Sequence, residues 1–409
     1  MNYDLETLRL IAWALLVAIC MGLAVCEGIT LGLMMLIPWL GEPSQRRALK
    51  TSAVPTSLGS LSWWLVLIAV LFSAWPVAYA VSLASLQPAL GLISLTLLIR
   101  PLALYFFEAL AQTRLNQNLD KLLSLSGWLP AALLGLLVGN LLKGIPFHLE
   151  SDMRIAFLGD FMSLIHPFGA LVSLTCMSLL LMHGASYCLA RTGGSLQQAR
   201  GIQLRAGLSF LVTFALSGLW ITHLEGYHVT SEILTNATSN PLAKFVKRAE
   251  GLWLDNYEHE PSLILIPTLA LIAGITALWL GKTSRRHETL IASSITVAMT
   301  TLTAGLSLFP FLLPSNLSLN SSLTIWDSSA SQATLQILLP TACISLPIIL
   351  LIQRWTFSLF NEEIHLEVET ETMAQEITEN AEPMPEANSV LETENTQTED
   401  DVISNANLL

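Results

Sequence analysis

Nine stretches of this 409-residue chain are apolar over lengths that cross a bilayer, and few folds can accommodate them. A helix needs about 20 residues to span the hydrocarbon core. The stretches cover roughly 8–39, 62–82, 86–111, 127–147, 163–190, 204–225, 261–281, 288–313 and 332–359. Backbone polar groups in lipid must be satisfied within the segment, so spans of this length are helices. The predicted fold is all-α, a polytopic membrane protein with about nine transmembrane helices. The first span is no cleaved leader: it is too long, opens on Asp4 and Glu6, and lacks a small-residue cleavage site. Only 12% of residues are charged, against about 25% in soluble domains. Lys+Arg number 19 against 31 Asp+Glu, which excludes a nucleic-acid binder.

Fourteen of those acids, with no Lys or Arg, lie between Asn361 and Leu409, so residues 1–360 are close to neutral. This gives a 1–360 membrane domain and a 361–409 acidic tail, too poor in apolar residues to offset its ordering entropy. Basic residues fix the expected orientation. Junctions after odd-numbered spans hold eleven, including Arg46, Arg47, Lys50, Arg114, Lys121, Arg285 and Arg286. Junctions after even-numbered spans hold five: Lys143, Arg154, Lys244, Lys247 and Arg248. The odd junctions are therefore expected inside, with a periplasmic N-terminus and a cytoplasmic tail.

Ionisable groups within hydrocarbon are expensive and mark function. Arg100 is the one basic residue expected deep in a span, and Glu27 the one carboxylate near the middle of one. Their spans run in the same direction and their depths match within a turn or two at about 1.5 Å per residue. A Glu27–Arg100 ion pair would lower the cost of both, either as a structural lock or as part of a proton path or a quinone or haem-propionate contact. Glu108 is expected to snorkel to the interface. His166 and His183 are too far apart on one helix to share a metal and read as hydrogen-bonded buried histidines. His223, Glu225 and His228 read as exposed interface residues. The five cysteines (Cys20, Cys26, Cys176, Cys188, Cys343) sit in apolar stretches and read as small hydrophobes. Gly28xxxGly32 and Gly135xxxGly139 allow close helix packing. No self-contained catalytic or metal site emerges from the residues.

Collinear motifs nevertheless resemble one family. Tyr3-Asp4-Leu5-Glu6-Thr7-Leu8-Arg9 and Gly22 to Gly28 fit its first helix, Phe72-Ser73-Ala74-Trp75-Pro76 and Arg100-Pro101 its second and third. Gly139-Asn140-Leu141-Leu142-Lys143-Gly144-Ile145-Pro146-Phe147, Pro167-Phe168-Gly169 and Gly218-Leu219-Trp220 follow in order, then Ser239-Asn240-Pro241-Leu242. The most specific run is Thr303-Ala304-Gly305, Phe309-Pro310-Phe311, Pro314-Ser315 and Ser322-Leu323-Thr324-Ile325-Trp326-Asp327. Over residues 3–360 the chain resembles subunit II of the bacterial cytochrome bd quinol oxidases.

The resemblance implies a multi-pass protein of the cytoplasmic membrane in a heterodimer with subunit I. Subunit I would carry haem b and haem d and oxidise quinol while reducing O2 to water. Subunit II would bind no haem itself, hold a structural quinone and contribute to a proton path, with membrane lipid and a small accessory subunit as further partners. The resemblance carries Trp75, Pro76, Asn140, Trp326 and Asp327 as family-motif residues. Two acids of the family are missing: one falls in Ser57-Leu58-Gly59-Ser60-Leu61, the other at Thr30. A proton path would then lean on Glu27 and on hydroxyls of Thr30, Ser57, Ser60 and Ser62. These departures resemble the cyanide-insensitive branch. A secondary transporter, or a purely structural subunit without a proton role, are the competing readings.

Overall fold

The computed structural model describes residues 4–110, 115–160, 162–192, 197–283 and 285–359; the acidic tail, 361–409, lies outside them. Nine helices among the described residues are long and apolar enough to cross a membrane. They are α1 (Leu5–Leu36), α2 (Pro43–Ala74), α3 (Pro76–Phe106), α4 (Asn116–Lys143), α5 (Pro167–Arg191), α6 (Gln197–Ile221), α8 (Leu265–Gly281), α9 (Arg286–Leu308) and α10 (Gln332–Leu359). A short α7 (Asp255–His259) precedes α8.

The second and third spans differ most from expectation. Hydropathy placed them at 62–82 and 86–111, but the chain breaks at Trp75–Pro76, inside the predicted second span. Pro76 has no N–H to donate and occupies the first position of α3, where none is needed. Residues on both sides of this break are apolar, so a hydropathy window reads through it. The hydroxyls of the polar start of α2 are satisfied within the helix by its own carbonyls: Ser52 donates to Ala48 O at 2.8 Å, Thr56 to Ala53 O at 2.9 Å and Ser62 to Gly59 O at 2.7 Å.

Helix α1 is central and packs against α2, α4, α5, α9 and α10. Its crossing with α5 brings backbone against backbone: a Cβ on Gly32 would lie 2.7 Å from Gly184 Cα, and one on Gly184 would lie 2.6 Å from Leu33 N. The largest core cluster, including Leu33, Met34, Met35 and Met182, gathers around this crossing. Outward faces stay apolar, with Leu65, Leu98 and Ile337 exposed, as lipid or a second subunit requires.

Three antiparallel hairpins, which the all-α reading did not include, cover the end of the bundle where α1 begins. They are β1–β2 (Phe147–Leu149, Ile155–Phe157), β3–β4 (Glu225–Val229, Val246–Glu250) and β5–β6 (Phe311–Leu313, Leu323–Thr324). The 226–260 segment is thus folded: Tyr227 and Trp253 are buried together with Phe311, and Trp253 donates to Leu142 O at 2.8 Å.

Candidate functional site

Glu27 and Arg100 are the twenty-third residue of α1 and the twenty-fifth of α3, two helices running in the same direction, so they arrive at similar depth. Both are buried, and Arg100 Nη1 donates to Glu27 Oε1 at 2.6 Å. Arg100 Nη2 donates to Ser126 O at 3.1 Å on α4, so three helices close on one guanidinium. The pair is incompletely satisfied. Among the described residues, buried Glu27 Oε2 and Arg100 Nε have no hydrogen-bond partner, and neither has Thr30 Oγ1 one turn further along α1. A carboxylate oxygen left open in this way can accept a proton or a hydrogen bond from a mobile donor such as water.

The hydroxyls on α2 divide between faces. Ser57 and Ser60 are both buried, and Ser60 donates to Ser57 O at 3.2 Å. Ser62 is only half-buried and lies on a different face, where it caps Gly59 O. Leu58, within the segment that lacks the family acid, is 47% exposed. A carboxylate there would point out of this bundle rather than toward Glu27.

The family-motif residues build the hairpin-covered end. Trp75 is fully buried at the α2–α3 break and donates through its indole to Ile325 O at 3.3 Å, while Pro76 is exposed. Asn140 ties α4 to the loop before α5, donating to Leu136 O at 2.8 Å and Leu164 O at 2.7 Å. Trp326 packs edge-on against Phe309. Asp327 accepts from Lys244 Nζ at 3.0 Å, from Thr324 N at 3.1 Å and from the Thr324 hydroxyl. Burial raises the Asp327 pKa and lowers that of Lys244, each opposed by the other's charge.

Sequence reasoning missed Arg9 as a structural hub. Fully buried near the start of α1, it donates to Ser329 Oγ at 2.7 Å, Thr235 O at 2.5 Å, and Ala237 O and Ser239 Oγ at 3.0 Å each. A cationic residue one turn from a span terminus reads locally as an interfacial anchor, and its partners lie more than 220 residues away. Lys244 was likewise counted only as a loop charge.

Replacing Lys244 by Met should lower the thermal midpoint, and the loss should be pH-dependent. Unpaired, Asp327 is pushed still further above its unfolded pKa. A carboxyl with a raised folded pKa is least costly when protonated, so stability is regained as pH falls through that value. Thermal unfolding of the purified complex should show a smaller deficit at mildly acidic than at mildly alkaline pH; an equal deficit at both would refute the assignment.

His183 Nδ1 lies 2.9 Å from Ser293 Oγ and Nε2 3.2 Å from Val25 O, so neither nitrogen is free. His166 caps α5 by accepting from Gly169 N at 3.1 Å, and burial, reinforced by Lys143, pushes its pKa down to about 4. His228 pairs with Asp255 at 3.0 Å and Glu225 with Arg248 at 3.0 Å. His223 forms no metal cluster with them; no such cluster occurs among the described residues. Glu108 meets Arg47 at 3.3 Å at the surface beyond α3.

Nine spans folded around a buried ion pair define a polytopic membrane subunit, and comparison with known proteins gives its family. The sequence profile of cytochrome bd terminal oxidase subunit II matches residues 8–360. Cytochrome bd-I ubiquinol oxidase subunit 2 of Escherichia coli K12 is 34% identical over 357 residues, covering 87% of this chain and 94% of the relative. A probable cytochrome oxidase subunit 2 of Haemophilus influenzae is 32% identical over 357 residues, with the same coverage of both chains. The bd oxidase structure from Geobacillus thermodenitrificans superposes with a TM-score of 0.63 at 17% identity, covering 87% of this chain and 98% of that one, and shares the fold. The chain belongs to the cytochrome bd terminal oxidase subunit II family. It is a multi-pass subunit of a terminal oxidase in the bacterial cytoplasmic membrane, assembled with subunit I, and the secondary-transporter reading falls away.

Proposed function

We propose that this subunit supports ubiquinol oxidation and O2 reduction at haems b and d of subunit I, and that Glu27 handles protons for that reaction. The observation that carries the proposal is the buried, unpartnered Oε2 of Glu27, held by the 2.6 Å contact of its other oxygen with Arg100. Arg100 fixes the carboxylate through one oxygen, while Oε2 has no hydrogen-bond partner among the described residues. Ser57, Ser60 and Thr30 supply buried hydroxyls on α2 and α1; Ser62, on another face, is the least suited to join them.

The basic excess where α1 ends and α2 begins supports placing that end, and the 361–409 tail, in the cytoplasm. That places Glu27 nearer the cytoplasmic end of its helix. A structural quinone fits the donors present. The buried indole Nε1 of Trp64 and the Ser85 hydroxyl have no acceptor among the described residues, and a quinone carbonyl accepts from such groups.

The test is Glu27→Gln in the intact complex. Expected is a fall in quinol-driven O2 uptake of about 10²-fold or more, the scale on which a positioned proton-transfer group contributes, with haem absorbance per complex unchanged. Wild-type turnover in the Gln variant would leave the purely structural reading of the pair standing.

A further inference from the structure

A cleft of about 490 Å³ opens where α1 ends, between the 3-10 turn Ile37–Trp39 and α4. Its volume lies within the range of small-molecule sites. We infer that it binds an anionic phospholipid, phosphodiester headgroup outward and acyl chain along α4. This goes beyond the proton role proposed for Glu27 and does not depend on it.

The lining is ordered as a phospholipid is. Gln117, Asp120 and Lys121 lie in the first two turns of α4, with Arg46 opposite on α2. Leu125 and Trp128 follow one and two turns deeper, about 6 and about 10 Å along the axis from Lys121, where Ile37 and Pro38 supply the facing apolar wall. Charge therefore sits at the helix ends and apolar surface toward the bilayer centre. Leu125 is 55% exposed, so an occupant would cover apolar surface rather than displace protein packing.

The charge sum at the mouth favours an anion. Asp120 is flanked by two cations, Lys50 and Arg46, the latter at 3.3 Å, so one positive charge remains over. Arg46 Nε donates to Leu40 O at 2.7 Å, while its Nη2 makes no hydrogen bond among the described residues. Lys121, exposed, adds a second positive charge and forms no ion pair among the described residues. Of the nearby acids, Glu108 is neutralised by Arg47, while Glu42 is hydrogen-bonded to the neutral Gln45 and keeps its charge, which leaves a net excess of one positive charge. The positive end of the α4 dipole lies at the same mouth. A basic pocket between membrane helices selects anionic headgroups. A quinone carbonyl could accept a hydrogen bond here but would leave the excess positive charge uncompensated.

The test uses the delipidated complex in detergent, titrated with phosphatidylglycerol or phosphatidylcholine carrying brominated acyl chains, which quench tryptophan on contact. The Trp128 signal is the difference between wild type and Trp128→Phe. Phosphatidylglycerol should quench it at about fivefold lower lipid fraction for each basic side chain engaged, and Lys121→Gln should remove about fivefold of that preference. Native mass spectrometry of wild type and Lys121→Gln, which needs no tryptophan variant, should show retained phosphatidylglycerol falling in the variant. Equal quenching by the two lipids overturns the proposal. So does the absence of any Trp128 signal, which would mean another chain covers the cleft, and so does unchanged retention in Lys121→Gln.

Discussion

Arg100→Leu is expected to remove most of the assembled complex, measured as haem absorbance per milligram of membrane protein. The substitution leaves Glu27 buried with neither oxygen paired and removes the donor to Ser126 O, uncoupling α1, α3 and α4 at one point. Breaking a buried pair from one side costs about 3–5 kcal/mol, a large share of the about 5–15 kcal/mol that holds a typical domain folded. Glu27→Gln should be milder for assembly, because the isosteric amide still offers an oxygen to Arg100 Nη1 and Arg100 keeps its bond to Ser126 O, whereas Leu at position 100 removes both contacts. The double substitution, Glu27→Gln with Arg100→Leu, should therefore recover assembly relative to Arg100→Leu alone while O2 uptake stays low. Assembly defects that simply add would show that the 2.6 Å contact contributes no coupling.

An equally large effect is expected from Gly32→Val. The new side chain would meet the α5 backbone at Gly184, which no rotamer change can relieve. Ordinary overpacking costs about 1–3 kcal/mol where side chains can shift; here two helix backbones must separate and the cluster of Leu33, Met34 and Met182 must open with them. Little folded subunit should survive detergent extraction and size-exclusion chromatography. Gly91→Val is the control, since nothing lies within 4 Å of a Cβ built at Gly91. Equal yields of the two variants would contradict the close α1–α5 crossing.

These two sites differ in how much of them was legible in advance. Glu27 and Arg100 stand out because an ionisable group in an apolar run is locally conspicuous, and helix rise converts sequence position into depth. The Gly28xxxGly32 spacing marks a face suited to close packing but does not say against which helix. Arg9 and Lys244 gave no such signal, and Asp327 stood out only through the family motif. Each lies at a span end or in a loop, where charge is ordinary, and their burial comes from hairpins contributed by segments far apart in the chain.

The sequence by itself determined that nine helices cross the membrane, since hydrophobic length is a local property set by bilayer thickness. Its ordered motifs also determined the family, because they match position by position along the chain. The tertiary structure decided where the second span ends, because the polar first half of α2 is hidden by its neighbours and Trp75–Pro76 turns within continuous apolar sequence. It also decided that Ser57 and Ser60 share a buried face while Ser62 and Leu58 do not, and that Arg46 and Lys121 flank one cleft. Such facts depend on which helix packs on which, and hydropathy, which sums over neighbours in sequence, carries no information about neighbours in space.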